Sequence, residues 1–474
     1  MAILARKETP MHVYGLWAAM NLAVSHMSRG TLRWLQTGEE LRMTTSTVRI
    51  GITALTLLCG VMMPSFTHAT AFAESAEPAG AAEATPTIAP TPEAVRKALG
   101  VEARKRVVEA VEEAVKSTGY RGAALVGVDG EAVLMKGWGR RLPPPARGPG
   151  GDQIIDKDSV FEIASISKVI TAQAILKLAE QKKLSLDDEI GVWLQPEMKP
   201  DAVPASWKGV TIRHLLSHSS GLDNDTGISP YNEQSRTAAV KKFARSAVLT
   251  KPGEAFAYNN AAYCMLAVII ERASGQEFER FIKSEIFDPA GMASSAFPPG
   301  TGLDVKQRVR RKATVTMNEH PWGWGYKGCG GVLTTMSDLL AWDKAARENR
   351  IISKASETLM RTGVVKNDTE EHDEDAMIGL AWFISSHAGR EKLTHTGGSF
   401  GVRCVMFRYP NEGVIIVTAT DDSAEPLAIA QAAEGALLEE LSRAGIRGQG
   451  PLKPSVTKTP ETRPTKNPEK EPAK

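Results

Sequence analysis

Apolar residues recur at helical spacing in one stretch of the chain and form strand-like runs directly after it. Valines repeat every three or four positions and predict a helix over Val101–Thr118. Two apolar runs, residues 123–128 and 132–137, then lie on either side of Asp129 and Gly130. An Asp-Gly pair between such runs is typical of a tight β-hairpin, because both residues tolerate the positive φ that the turn requires.

The same strand pattern returns near the other end of the chain. Two apolar runs, Val402–Tyr409 and Val414–Thr420, flank a turn, and Pro426 then begins a predicted helix that runs through Leu441. Residues 165–360 are mainly helical in pattern. We therefore predict an α+β fold: one antiparallel sheet, built from distant parts of the chain and flanked by helices, beside a mostly helical lobe. A cleft between sheet and lobe is the expected place for a site.

Composition divides the chain into four parts. Residues 1–73 hold an N-terminal extension and a signal peptide, in which Arg49 precedes an apolar stretch and residues 71–73 (Ala-Phe-Ala) form a cleavage site. Residues 74–95 are rich in Ala, Pro, Glu and Thr and are predicted to be a flexible linker. Residues 96–447 form the folded domain, and residues 448–474 a disordered tail rich in Pro and Lys.

The signal within residues 44–73 predicts a secreted or periplasmic protein. The alternative is a membrane anchor formed by the uncleaved apolar segment, although that segment is short for a span. A signal peptide begins at the N-terminus of its protein, so Met43 competes with Met1 as the true start, and the sequence leaves this open.

The charge of the chain limits the partners to be expected, and its cysteines limit the possible disulfides. The formal net charge is +2 and no basic stripe with interleaved aromatic residues is visible, so nucleic acid is not expected as a partner. The basic tail favours weak association with the cell envelope. Outside the signal the cysteines are Cys264, Cys329 and Cys404, and the sequence leaves open one disulfide or three buried thiols. We expect a monomer with no metal or other cofactor.

The first candidate for chemistry is the tetrad from Ser165 to Lys168, which begins a helical run that extends to Glu180. Residues three apart are neighbours on one face of a helix, so Lys168 reaches the Ser165 hydroxyl. A serine hydroxyl becomes a good nucleophile when a base beside it takes its proton. Backbone N–H groups at a helix N-terminus also suit a developing oxyanion. Alone, the tetrad is a weak signal.

Two further motifs follow in order, Tyr258-Asn259-Asn260 and His395-Thr396-Gly397-Gly398. Together the three motifs resemble those of serine β-lactamases and penicillin-binding proteins, whose pattern is Ser-x-x-Lys, a second motif ending in Asn, and Lys-Thr-Gly. The likeness is to the branch that contains class C β-lactamases, D-alanyl-D-alanine carboxypeptidases, D-aminopeptidases and esterases. It extends to blocks at residues 161–168, 210–222, 252–260, 287–292 and 330–340.

The resemblance implies a role for each motif. Ser165 would be the nucleophile that becomes acylated, while Lys168 and Tyr258 would share the proton transfers in a division that the sequence leaves open. Asn260 would orient Lys168 and a substrate amide. The oxyanion hole would take one backbone N–H from Ser165 and one from Gly398.

The third motif departs from the β-lactamase pattern at His395. β-Lactamases of this architecture carry Lys there, a permanent cation suited to a carboxylated substrate, whereas histidine is partly charged near neutral pH. Thr396 and Gly397 would line the substrate site, and the glycine would let the backbone approach a ligand closely. The histidine favours a peptidase or an esterase over a β-lactamase.

We therefore expect a β-lactamase/transpeptidase-like fold and a serine hydrolase that acts through an acyl-enzyme on D-alanyl peptides or esters of the cell envelope. Its substrate would be a small molecule or a peptidoglycan fragment. The alternatives are a promiscuous carboxylesterase, a β-lactamase, or a non-catalytic binding member of the fold. His214 and His218 have a spacing that also occurs in metal sites, but we interpret them as core or capping residues.

Overall fold

The computed structural model of the protein describes residues 90–140, 154–195, 203–228, 235–297, 323–369, 375–399, 402–420 and 425–448. The chain divides into two units, Met1–Glu83 and Ala84–Lys474, and the described residues all lie in the second. The predicted signal region, the linker up to residue 89 and the tail from residue 449 lie outside the described residues.

An eight-stranded antiparallel sheet forms the centre of the described unit. Its strands are β1 Gly122–Val128, β2 Glu131–Trp138, β5 Val365–Lys366, β6 Met377–Ile378, β7 Phe383–His387, β8 Arg390–Ser399, β9 Val402–Tyr409 and β10 Val414–Thr420; β3 Phe161–Glu162 and β4 Leu333–Thr334 pair separately. The order across the sheet is β2-β1-β10-β9-β8-β7-β6-β5. The first two strands are the predicted hairpin, with φ of 53° at Asp129 and 78° at Gly130.

The helices lie at the ends of the chain and in the predicted middle lobe. They are α1 Pro92–Ala98, α2 Val101–Thr118, α3 Ser167–Glu180, α4 Ile190–Leu194, α5 Ile212–Leu216, α6 Arg236–Phe243, α7 Asn260–Ser274, α8 Phe278–Ile282, α9 Asp288–Ala290, α10 Met336–Arg347, α11 Lys354–Met360 and α12 Pro426–Arg443. The predicted boundaries of α2 and the start of α12 are confirmed. Among the described residues, none of the helices is both long and apolar enough to cross a bilayer.

The end of the predicted flexible linker is helical. Thr91 accepts a hydrogen bond from the Ala94 N–H, Pro92 occupies the first turn, and Val95 is fully buried in the core. A side-chain cap followed by proline is a helix start. The linker prediction was wrong for residues 92–95. A composition rich in Ala, Pro, Glu and Thr does not exclude a helix where a capping threonine and a proline begin one.

The sheet buries a different group of elements on each face. On one face α2 and α12 pack through side chains such as Val107, Val111 and Leu437. On the other face lie α3, α7 and α10, whose apolar side chains join a second core cluster that includes Ile175, Val268 and others. Strand β8 pairs with β7 only as far as Thr394, whereas its pairing with β9 continues to Ser399. One edge of residues 395–399, which include the third motif, is therefore not covered by β7.

Candidate active site

Ser165 lies in a short 3₁₀ turn, Ala164–Ile166, that leads directly into α3. The residue before it, Ala164, has a φ of 44°, an uncommon conformation for a side chain with a Cβ. Ser165 is half-buried, so its hydroxyl can be reached from solvent. The tetrad therefore begins with a strained turn, followed by the helix that the sequence predicts.

The structure brings Lys168 into contact with Ser165. The Lys168 side chain is fully buried, and its Nζ donates to Ser165 Oγ at 3.0 Å and to the Cys329 carbonyl at 2.9 Å. The same Nζ lies 4.9 Å from the centroid of the Tyr258 ring. A buried ammonium needs hydrogen-bonding partners to offset its desolvation, and here the main chain supplies one and the serine the other.

Tyr258 is positioned by the start of α7. Asn259 Oδ1 accepts from the Ala262 N–H at 2.8 Å and caps the helix, while its Nδ2 donates to the Leu222 carbonyl at 2.7 Å. Tyr258 precedes this cap, is half-buried, and stacks on the His218 ring with centroids 4.3 Å apart. Its ring therefore lies over the Lys168 ammonium.

Asn260 lies beside the cluster but makes different contacts from those predicted. Its backbone N–H donates to Asn224 Oδ1 at 2.8 Å. Within the described residues, the hydrogen bonds of the Lys168 ammonium go to Ser165 and Cys329 rather than to Asn260. Its contact with a substrate amide stays a prediction.

Strand β8 brings the third motif against the turn that carries Ser165. A Cβ added to Gly397 would lie 2.4 Å from the Ile163 carbonyl oxygen, so this close approach requires glycine. Thr396 and Gly398 are exposed, and the space over Gly398 is open. The Gly398 N–H and the N–H of Ser165 thus lie on neighbouring elements, as an oxyanion hole requires, and their assignment to that role stays a prediction.

His395 is a buried, neutral imidazole. Its Nδ1 lies 2.7 Å from the Thr396 carbonyl oxygen, and its ring meets the edge of Phe383. Burial, and secondly the positive charge of Lys168, lower the pKa of His395 from 6.5 to about 3. The expectation of a partly charged histidine near neutral pH is therefore wrong, because the sequence did not reveal that the ring is enclosed beside an ammonium.

Sequence reasoning missed Glu162, a buried carboxylate three residues before Ser165. It accepts hydrogen bonds from Ser399 Oγ at 3.1 Å and from Tyr326 Oη at 2.5 Å. The carboxylate therefore ties the strand before the nucleophile to the end of β8 and to the segment that contains Cys329. A glutamate inside the apolar run before the tetrad was the signal that could have identified it.

The cysteines in the described part of the chain are free and buried. Cys264 and Cys329 interact: burial raises the pKa of the Cys264 thiol, whereas a hydrogen bond with Cys264 lowers the pKa of the Cys329 thiol. Burial also raises the pKa of Cys404. Of the two alternatives left open by the sequence, the structure has buried thiols.

The family follows from this arrangement and from comparison with known proteins. Residues 107–439, well over half of the chain, match the family model described as Beta-lactamase. The chain therefore belongs to the β-lactamase family. Its relatives include a penicillin-binding protein and a D-alanyl-D-alanine-carboxypeptidase/endopeptidase.

Individual relatives agree with this membership. Penicillin-binding protein 4* of Bacillus subtilis is 30% identical over 313 residues, which are 58% of this chain and 64% of that protein, just under two thirds of its length. The D-alanyl-D-alanine-carboxypeptidase/endopeptidase AmpH of Escherichia coli is 24% identical over 324 residues, 63% of this chain and 80% of AmpH. The octameric penicillin-binding protein homologue of Pyrococcus abyssi matches with a TM-score of 0.59 and 26% identity, over 71% of this chain and 77% of its own. The predicted β-lactamase/transpeptidase-like fold is confirmed.

Proposed function

We propose that this protein is a hydrolase that forms an acyl-enzyme on Ser165 and acts on D-alanyl peptides or esters of the cell envelope. The observation that carries the proposal is the 3.0 Å hydrogen bond between Nζ of the fully buried Lys168 side chain and the hydroxyl of the half-buried Ser165. A nucleophile with a base within hydrogen-bond reach and a third group beside them is the arrangement that acyl transfer needs.

The proposed reaction has two halves. Ser165 attacks the substrate carbonyl, and its proton goes to whichever member of the Lys168–Tyr258 pair is unprotonated when the substrate is bound. The pair then passes a proton to the leaving group. The oxyanion accepts hydrogen bonds from the N–H groups of Ser165 and Gly398. Water then attacks the acyl group, and the same pair of residues takes the water proton and returns one to Ser165.

A second candidate is the hydrolysis of uncharged esters, and the neutral His395 favours it. A neutral imidazole attracts a substrate carboxylate less than the lysine of β-lactamases would. Arg403, the nearby cation on β9, is paired with Glu425 at 2.8 Å. A carboxylated D-peptide would therefore depend on neutral donors such as the Thr396 hydroxyl, whereas an ester needs no cation at this position.

The test is covalent labelling followed by a substrate panel. We expect a fluorophosphonate or a fluorescent penicillin to label Ser165, as located by mass spectrometry, and not to label Ser165→Ala. The panel is a D-Ala-D-Ala peptide, p-nitrophenyl acetate and nitrocefin, with kcat/KM measured for each. Label on another serine, or turnover of all three substrates by Ser165→Ala, would contradict the proposal.

We also propose that the protein works in the cell envelope as a monomer. The predicted signal within residues 44–73 supports the location, and so does the similarity to a penicillin-binding protein and to a D-alanyl-D-alanine-carboxypeptidase/endopeptidase. Fractionation of expressing cells, with the N-terminus of the mature protein sequenced, tests secretion and distinguishes cleavage after residue 73 from a retained anchor. Light scattering tests the oligomeric state.

A further inference from the structure

His218 is held in an unusual conformation directly beside Tyr258. It follows α5, has a φ of 53°, and is fully buried. Histidine adopts positive φ more readily than most residues, but such a conformation is still uncommon. Burial, and secondly the positive charge of Lys168, hold the pKa of His218 well below 6.5, so its imidazole is neutral.

Both peptide N–H groups that flank Tyr258 donate to His218. The Ala257 N–H donates to the His218 carbonyl at 2.8 Å, and the Asn259 N–H donates to His218 Nδ1 at 3.0 Å. Because Nδ1 is the acceptor, the ring proton lies on Nε2. One residue therefore fixes the backbone of Tyr258 from both sides.

The imidazole also supports the side chain of Tyr258. It stacks on the Tyr258 ring at 4.3 Å between centroids, with 27° between the planes. Its neighbour Tyr263 lies 4.9 Å away and is itself fixed by a hydrogen bond from its hydroxyl to the Leu216 carbonyl at 2.7 Å. The Tyr258 ring thus stacks on the His218 ring, which in turn packs against Tyr263, and both of these residues are hydrogen-bonded to the main chain.

We propose that His218 is a positioning residue for the proton transfers of this enzyme: it holds Tyr258 over the Lys168 ammonium. This inference rests on the role given to Tyr258 in the proposed function. Small displacements of a proton-transfer group cost large factors in rate, so the contacts of His218 act on kcat rather than on substrate binding.

Two substitutions separate the contacts. His218→Asn keeps an acceptor for the Asn259 N–H and tolerates positive φ, but removes the ring under Tyr258. His218→Phe keeps a ring and removes the acceptor. With p-nitrophenyl acetate, and with active sites counted by fluorophosphonate, we expect either variant to lower kcat by about 10- to 100-fold with little change in KM.

His214→Asn is the matched control. His214 lies four residues earlier, and its Nδ1 likewise accepts a backbone N–H, from Thr211 at 3.2 Å, but it caps α5 and does not contact Tyr258. We expect its kcat per active site to equal that of the wild type. A similar loss of kcat in His214→Asn would mean that the whole segment, rather than His218, sets the rate, and would overturn the inference.

A double-mutant cycle tests whether His218 acts through Tyr258. In a Tyr258→Phe background, His218→Asn should change kcat by less than about 2-fold, because the group that it positions no longer transfers a proton. Equal losses of kcat in both backgrounds, or a wild-type kcat in His218→Asn, would overturn the inference while leaving the labelling of Ser165 intact. Failure of the wild type to label or turn over would count against the proposed function instead.

A crystal structure of His218→Asn gives a readout that needs no substrate. The Tyr258 ring should leave its place over Lys168 while α7 keeps its start at Asn260. An unmoved ring would overturn the inference whatever the activity.

Discussion

The two faces of the sheet differ in how their buried polar side chains are partnered. Against α2 and α12 the interior is mostly aliphatic, built from residues such as Val111, Ile416 and Leu437. The buried carboxylates on this face, Glu434 and Glu440 of α12, form ion pairs with Lys392 and Arg106. On the face that carries Ser165, the buried groups include Glu162, Lys168, His218 and His395. A buried polar group destabilises a fold unless it is hydrogen-bonded, whereas buried aliphatic surface stabilises it. One face therefore mainly stabilises the fold, while the other holds buried polar groups that are needed for the proposed reaction and that stabilise the fold less.

On the face that carries the site, Ser165→Ala should have the largest effect. It removes the atom that becomes acylated and lowers turnover by about 10⁴-fold or more, the scale seen when a hydrolase loses its nucleophile. The free energy of unfolding should change little, because alanine is favourable near a helix start. Steady-state kinetics and urea unfolding of the same preparation measure both. Substantial turnover by this variant would show that another residue is the nucleophile.

Loss of Lys168 or of Tyr258 should have the next largest effect. Lys168→Ala and Tyr258→Phe should each lower kcat by roughly 100-fold or more, the usual scale of general acid–base help. Since both act on the Ser165 proton, the double variant should lose much less than the product of the two factors. Fully multiplicative losses would show that the two side chains work independently.

On the opposite face, Leu437→Ala should lower stability and spare the chemistry. Leu437 is fully buried on α12, and removing a buried leucine side chain costs about 2–5 kcal/mol of unfolding free energy. The kcat per labelled active site should stay at the wild-type value, because this helix packs on the face away from Ser165. A fall in kcat beyond about 3-fold would show that the two faces are coupled.

The remaining effect on stability appears only at acid pH and concerns His395. Its folded pKa of about 3 lies below the ordinary 6.5, so the unfolded chain binds the proton first. The stability that a neutral His395 contributes is therefore present above pH 6.5 and is lost as the pH falls toward about 3. His395→Asn should lose less unfolding free energy over that window than the wild type, as urea titrations at several pH values would measure.

The same neutral histidine gives a kinetic prediction. The KM of the wild type for a carboxylated D-peptide should stay constant between about pH 6 and pH 8, because the imidazole does not change its charge there. A KM that rises as the pH passes 6.5 would show that the ring becomes charged when substrate binds.

Local patterns predicted the elements of this protein better than its buried contacts. The hairpin at Asp129 and Gly130, strands β9 and β10, and helix α2 were predictable, because turn chemistry and periodicity depend on residues close in sequence. The motifs also identified the segments that meet at the site. Whether a histidine is enclosed, or which carbonyl faces an ammonium, depends on segments far apart in sequence. For that reason the charge of His395 was predicted wrongly, and the parts played by Glu162 and His218 were missed.

The anchor of the Lys168 ammonium is a main-chain atom, which has a consequence for mutational robustness. Any residue at position 329 brings the same carbonyl, so the charge beside Ser165 does not depend on keeping a cysteine there. The preceding residue, Gly328, is instead the position that is sensitive to substitution. Gly328 has a φ of 82°, and an added Cβ would lie 2.4 Å from the Tyr263 carbonyl oxygen. A genetic screen of this segment should therefore find small residues such as alanine and serine tolerated at the buried Cys329, and almost no change tolerated at Gly328.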